Sequence, residues 1–480
     1  LDALAFYLYS DTNAIPGLVL AIIASIVIAF LLLGKLMEVS GATAAFTDLA
    51  LAFMGHRRGG PAKVAILASA MFGSISSSPV ANIMSTGIVT IPLMKRTGFQ
   101  AHNAAAIEAV ASTGGQISPP VMGATAFLMA EFLQIGYGQV VLAALLPAIL
   151  YYLCLFLQVD AIAARQNLKG LDRSELPRLR PTLKTGWIFI IPLVVLIYLI
   201  FWGNTTPGFA ALVSSALLLA FAVYTGRLRS REEWARLIFG SGESIVPLVL
   251  IAGAAGAVVG IMNISGLGQS LSFVLVRLGE NWGLLGMLIV TGLLAIVLGM
   301  GMPSTAIYII LAAILAPTLA AMGVSVLAAH FFIFYFGVLS FLTPPVAVSS
   351  FVAAGLAETN MWKTGWAGMR FSFVAYLIPF VWVYDPALLM EGSWIATGIG
   401  AATTVAAIMI VTTAMSIETV HWRGRVVYIA QWLIAIAVCL SPILLGAESV
   451  WAAILAAGGI SLWFFAQRER NARAATSAAD

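Results

Sequence analysis

Apolar runs near the roughly twenty residues that span a bilayer follow one another along this chain, separated by short polar joints. Crossing helices are predicted at 15–36, 103–131, 138–160, 185–202, 207–226, 242–263, 328–356, 369–384, 394–414, 427–446 and 450–467. Two further apolar pairs, 61–94 and 283–318, break at their centres, at "GSISSSPVAN" (73–82) and "GMGMPSTA" (299–306). Each reads as a re-entrant hairpin. The runs 103–131 and 328–356 are themselves interrupted, at "STGGQISPPV" (112–121) and "GVLSFLTPPV" (337–346). Proline donates no backbone hydrogen bond and clashes with the preceding turn, so these two read as discontinuous helices. The fold class expected is an all-α polytopic membrane protein.

Composition agrees. Of 480 residues, 61% are hydrophobic and 9% charged, with mean hydropathy +1.01, whereas soluble domains carry about 25% charged residues. The net charge of +4 matters less than where the charges fall. Lys35, Arg57, Arg58, Lys95, Arg96, the stretches 165–184 and 227–236, Lys363, Arg370, "HWRGR" (421–425), Arg468 and Arg470 all belong to one side of the predicted layout. The opposite loops, "WGNTTPG" and "DPALLMEGSW", hold no Lys or Arg, and Arg277 is the exception. The positive-inside rule then puts the basic side in the cytoplasm, the first residue outside and the last inside, in a bacterial-type inner membrane. Cys154 and Cys439 lie in apolar runs and suggest neither a disulfide framework nor a metal site. The chain begins without Met, and "LDALAFYLYSDTNAIP" has no basic n-region, so a fragment or processed product is expected. Nothing points to nucleic acid.

Landmarks recur at one offset. "MEVSG" (37–41) matches "MNISG" (262–266), Pro92 matches Pro317, Gly98 matches Gly323, "ISPPV" (117–121) matches "LTPPV" (342–346) and Tyr151 matches Tyr376, each 225 positions apart. Five crossings separate the two copies, an odd number, which makes the repeat inverted. The implied organisation is an extracytoplasmic lead-in (1–14), a first repeat (15–160), connecting helices and basic loops (161–241), a second repeat (242–385) and extra C-terminal helices (386–480). Inverted repeats with broken helices are the pattern of secondary transporters, with sites near the midplane.

The breaks supply the candidate chemistry. Carbonyls released by a double Pro are tolerated in hydrocarbon only inside protein or around a cavity. Together with Ser, Thr or Asn oxygens they suit a hard cation such as sodium. The helices resuming at Pro119 and Pro344 turn positive N-terminal ends to the same level and suit an anion. Candidate substrate contacts are Ser76, Asn82, Ser118, Pro119, Thr343 and Pro344, with Ser118 and Thr343 on opposite faces of the substrate. The bland alternative is that "SPP" and "TPP" are packed kinks. Glu108 lies two turns before the first break and its counterpart is Ile333; it is open between ion or proton coupling and a buried structural role. Glu131 is expected at a solvated outer interface, and His102 and His330 are expected to be interfacial. Neither GxSxG nor HExxH occurs in the sequence.

"GGPAKVAILASAMFGSISSSPVAN", "TIPLMKRTG", "EAVASTGGQISPPVMGATAFLMAEF" and "LTPPVAVSSF" resemble the large membrane subunit of TRAP transporters (tripartite ATP-independent periplasmic transporters), in particular the fused permeases that work with TAXI-type binding proteins. The resemblance covers about residues 15 to 385. It implies an elevator mechanism, no cofactor and no catalysis, and two sodium sites. Carried over, the first would use Ser77, Ser78, Asn82, Gly115, Ser118 and Pro120; the second would use Gly299, Gly301, Ser340, Thr343 and Val346. Ser77-Ser78-Pro79 departs from the Gly-Ser-Ser common in the family. The resemblance also implies a periplasmic substrate-binding protein and a small four-helix membrane subunit, or fused domain, as partners.

The expected function is ion-driven import of small organic anions, with carboxylates foremost and sodium favoured over protons. A stand-alone ion-coupled exchanger without a binding protein is the first alternative. An intramembrane enzyme using Ser78 or His102 is the remote one, since no base and orienting acid flank a nucleophile.

Overall fold

The computed structural model describes residues 2–76, 78–203, 205–414 and 422–441. Ser77, the span predicted at 450–467, and Arg468 and Arg470 lie outside the described residues. Every regular element among the described residues is helical. Eight of these helices are long and apolar enough to cross a bilayer, nine if the pair Met361–Phe371 and Phe373–Tyr384, bent by 42°, is counted as one span. The count falls below the sequence expectation for a physical reason. Each broken span is two pieces, Ala101–Gly114 with Ala124–Leu133 and Val326–Leu339 with Val348–Ala357. At 1.5 Å per residue, each piece is about 15 to 21 Å long, and only the two in series match the thickness of a bilayer.

The order along the chain is simple. A first crossing helix, Leu18–Val39, leads to an arm helix, Ala42–Met54, and then to the hairpin legs Gly60–Gly73 and 79–96. The first broken helix follows, then Tyr137–Arg165, Leu179–Phe201, Pro207–Tyr224 and Arg231–Ser265. A second arm and hairpin leg form one element, Leu267–Gly299, kinked at Gly283 (φ 68°). The return leg Ser304–Ala321, the second broken helix, the bent pair and Trp394–Ala414 complete the series, with Trp422–Cys439 after it. Both arms start after a glycine in the left-handed region, Gly41 (φ 90°) and Gly266 (φ 66°), and both hairpins end at one, Gly98 (φ 102°) and Gly323 (φ 87°). A side chain would be strained at those turns. The bonds Pro119–Pro120 and Pro344–Pro345 are both cis.

Three differences from the sequence reading stand out. The lead-in is a helix, Asp2–Ser10, in keeping with its Ala and Leu content. The crossing predicted from 242 starts at Arg231, where Ser230 and Glu233 form a reciprocal capping box that fixes a helix start in polar sequence. Beyond the double prolines the element starts, Ala124 and Val348 and then Tyr137 and Met361, are 224 apart. By element start, Tyr376 therefore corresponds to Tyr152 and not Tyr151.

Packing divides the helices into two groups. Leu18–Val39, Leu179–Phe201, Pro207–Tyr224 and Arg231–Ser265 lie against one another, and Arg227 closes their joint by donating to the Ser40 carbonyl at 2.9 Å. The hairpins, broken helices, Tyr137–Arg165 and the helices after 361 form the other group, with Tyr308, Phe331, Phe332, Tyr335, Phe371 and Trp382 fully buried in it. Lys95 at the end of the first hairpin donates to the carbonyl of Ala357 at 2.9 Å, tying the halves together at a helix C-terminus that favours a cation. Phe127 stacks between Phe30 and Tyr137, both 4.3 Å away, where the two groups meet.

Candidate functional site

The site is built where hairpin tips meet helix breaks. Gly73 ends the outgoing leg of the first hairpin, and Gly115 opens the first break. A Cβ on Gly115 would lie 2.5 Å from the Gly73 backbone, and one on Gly73 would lie 2.6 Å from Asn82 Nδ2. Two glycines are thus needed for the backbones to touch. Asn82 is fully buried, and its amide donates to the carbonyls of Ser69 (3.0 Å) and Ser112 (3.5 Å). In the second half the matching contact uses a side chain. Ser340 Oγ donates to the carbonyl of Gly299 at 3.0 Å and of Gly337 at 2.6 Å.

Between the tips and the first group of helices lies a cavity of about 490 Å³. Its wall includes Ser76 and Ser78 from the first tip, Gln116 from the first break, and Gly301, Ser304 and Thr305 from the second tip. Phe30, Gly34, Lys35 and Glu38 line the opposite side, and Glu243 joins them from Arg231–Ser265. Gln116 Nε2 donates to Ser304 Oγ at 3.2 Å, so a side chain from the first half touches the second hairpin inside the cavity. Ser78 caps the return leg, its Oγ accepting from the Ala81 N–H at 3.3 Å, a normal use of serine before a helix.

Of the residues expected at a substrate, Ser76 lines the cavity, while Asn82, Ser118, Pro119, Thr343 and Pro344 are not in its wall. Thr343 Oγ1 donates to the Leu339 carbonyl and sits 2.7 Å from Tyr376 Oη. Pro344 packs on Gly365, where a Cβ would lie 2.9 Å from its ring. The carbonyls of Pro120 and Val121 accept from Tyr137 Oη at 2.9 and 2.7 Å, so part of the released backbone is already paired. Val346 is half-buried. His330 is buried, not interfacial, and lies 2.6 Å from Tyr308 Oη; the apolar start of its helix packs inside the second hairpin.

Sequence reasoning missed Gln116, Ser304 and Thr305, although all three stand in the quoted breaks. It also missed the hydroxyls around Glu108. Thr113 Oγ1 and Thr305 Oγ1 are buried without a hydrogen-bond partner among the described residues, and such oxygens are available to a cation.

Residues 17–394 match the family described as "Tripartite ATP-independent periplasmic transporter, DctM component". The chain belongs to this family. It is a multi-pass TRAP large permease, similar to the C4-dicarboxylate TRAP transporter large permease protein of Pseudomonas aeruginosa, with 25% identity over 75% of this chain and 83% of the relative. It is likewise similar to the 2,3-diketo-L-gulonate TRAP transporter large permease protein of Escherichia coli, at 25% identity over 75% of this chain and 84% of that one. A sialic acid TRAP transporter large permease protein of Vibrio cholerae matches at 25% over 68% and 76%. These relatives of the TRAP permease are transporters, which sets the intramembrane-enzyme alternative aside.

Proposed function

We propose that this TRAP permease imports small organic anions, carboxylates foremost, by an elevator movement driven by a sodium gradient. It takes its substrate from a periplasmic binding protein and works with a small four-helix membrane subunit, in the manner of the fused, TAXI-type permeases. The observation that carries the reading is the cavity between the two helix groups, where polar side chains from both hairpin tips and the first break converge. A site lined by two mobile tips and a fixed wall is what alternating access needs. The relatives' names supply the substrate class: C4-dicarboxylate, diketogulonate and sialic acid are all organic anions.

The elevator reading draws support from the two packing groups and from the arms Ala42–Met54 and 267–283, each entered through a left-handed glycine. The inverted repeat is supported by the shared lengths of the broken-helix pieces, Ala101–Gly114 with Val326–Leu339 and Ala124–Leu133 with Val348–Ala357. For sodium the reading uses neutral oxygens. Ser78, Gly115, Ser118 and Pro120, with Ser77 and Asn82, form the first set, and Gly299, Gly301, Ser340, Thr343 and Val346 the second. The lone pairs of backbone carbonyls and hydroxyls suit a hard monovalent ion. The N-terminus is outside and the C-terminus cytoplasmic, on the distribution of Lys and Arg.

The test is uptake into proteoliposomes holding the permease, its small subunit and its binding protein. A panel of labelled mono- and dicarboxylates is offered with and without an inward sodium gradient. Accumulation that needs both the gradient and the binding protein is expected. Uptake without the binding protein would favour a stand-alone exchanger, and uptake following only a proton gradient would remove sodium.

A further inference from the structure

Glu108 stands in the middle of Ala101–Gly114 with no exposed surface. Four hydroxyls donate to its carboxylate: Ser69 at 2.7 Å from the outgoing hairpin leg, Thr86 at 2.5 Å and Thr90 from the return leg, and Ser112 at 3.1 Å one turn on. Gly87 makes the approach possible, since a Cβ there would lie 3.1 Å from Glu108 Cγ. Among the described residues its hydrogen-bond partners are all hydroxyls. A buried carboxylate is tolerated only when fully hydrogen-bonded, and four single-proton donors match its four lone-pair directions.

Three of those four partners also hold Asn82. The Ser69 and Ser112 carbonyls accept from its amide, and Thr86 Oγ1 donates to its carbonyl at 2.9 Å. Asn82 Nδ2 in turn sits against Gly73, beside Gly115. A continuous set of contacts therefore runs from Glu108 to the meeting of tip and break, while Glu108 itself is outside the cavity wall. Nothing equivalent is possible in the second half, where Ile333 holds the matching position and Ser340 bonds Gly299 directly.

We propose that Glu108 is a positioning residue for the first hairpin. It clamps both legs and Asn82 in register with Gly115, and so sets the cation affinity of the first site and not of the second. The proposal rests on the carrier reading above, in which tip and break hold the coupling cation. The side chain acts through Asn82 and touches neither cation nor substrate.

Glu108→Ala removes the acceptor shared by four hydroxyls. Glu108→Gln restores most of the pattern: its carbonyl oxygen accepts from Ser69, Thr86 and Ser112, and its NH2 donates to Thr90 Oγ1, whose proton can turn to the Thr86 carbonyl at 3.1 Å. The assay is sodium chloride titration of the purified permease at constant ionic strength with choline chloride, read by thermal unfolding, beside hydrogen exchange of residues 74–87 and 300–306. Glu108→Ala should raise the sodium concentration for half-saturation by about tenfold, the worth of one lost charge-assisted hydrogen bond, and Glu108→Gln should recover most of that. Exchange should quicken in 74–87 and stay unchanged in 300–306. If Glu108→Ala does not fold, Thr90→Val with Ser112→Ala removes two donors and should move both readouts the same way. An unchanged sodium response with unchanged exchange overturns the proposal, as does exchange that rises equally in both segments, which would mark a general structural role. If the wild-type protein shows no sodium-specific response, the cation reading fails. The exchange pattern then decides alone: a rise confined to 74–87 upholds the clamp, and none overturns it.

Discussion

Gly115 shows how much a single position can carry. Its hydrogen lies where any Cβ would press 2.5 Å from the Gly73 backbone, and neither chain can give way inside a packed interior. Gly115→Ala should cost about 1–3 kcal/mol, the usual penalty for overpacking, and should abolish uptake even where the protein still inserts. Gly355→Ala is the matched control, because a Cβ there meets nothing within 4 Å and a helical Ala gains about 0.4–1 kcal/mol over Gly. The pair is read by thermal unfolding and transport in the same membranes. Equal behaviour of the two variants would remove the tip-to-break contact from the mechanism. Asn82 and Glu108 extend the same contact inward. A small residue at the touching point thus depends on a polar cluster that never reaches the cavity.

Two broken helices of matched length hold their breaks by different bonds. The first uses backbone against backbone at Gly73 and Gly115, and the second uses Ser340 Oγ on the Gly299 carbonyl. Ser340→Ala should therefore destabilise by about 1–2 kcal/mol through an unsatisfied buried carbonyl, and should raise the sodium needed for half-maximal uptake. Thermal unfolding and a sodium titration of uptake check it; a variant indistinguishable from wild type would leave the second hairpin without its latch. Such breaks were readable from the sequence, because Gly, Ser and double Pro interrupt apolar runs that should otherwise stay helical. So were the hairpins and both arm glycines' neighbourhoods, through the constant offset. What was not legible is pairing through space. Ser69, Thr86 and Thr90 are separated from Glu108 by 39, 22 and 18 residues, and no local pattern says that three hydroxyls on two hairpin legs converge on one carboxylate. His330 was misplaced for the same reason. A histidine near a helix start suggests an interface, and only the fold brings Tyr308 over it.

Taken together, the helices form two bodies that meet along the cavity, and the elevator reading requires one to slide past the other. The closest approach useful for testing this is between the first crossing helix and the first tip. A Cβ on Gly34 would lie 4.0 Å from Ile75 Cγ2, with Gly34 on the wall and Ile75 on the moving hairpin. Gly34→Cys with Ile75→Cys should form a disulfide on oxidation, since Cβ atoms at such spacing can be bridged. That bond should stop uptake, and a reductant should restore it. Gly253→Cys with Ile15→Cys has similar geometry, with a Cβ on Gly253 falling 3.8 Å from Ile15 Cγ2, but both positions belong to the same body. Its crosslink should leave uptake nearly unchanged. The native Cys154 and Cys439 are buried and do not compete for the oxidant. A rigid carrier that opens and closes only at its tips would also be stopped by the first pair, so the sliding distance is the deciding measurement. Spin labels at Gly253 and at Ser304 should report two separations, with sodium and substrate shifting the population between them. A single fixed separation under all conditions would exclude an elevator for this permease.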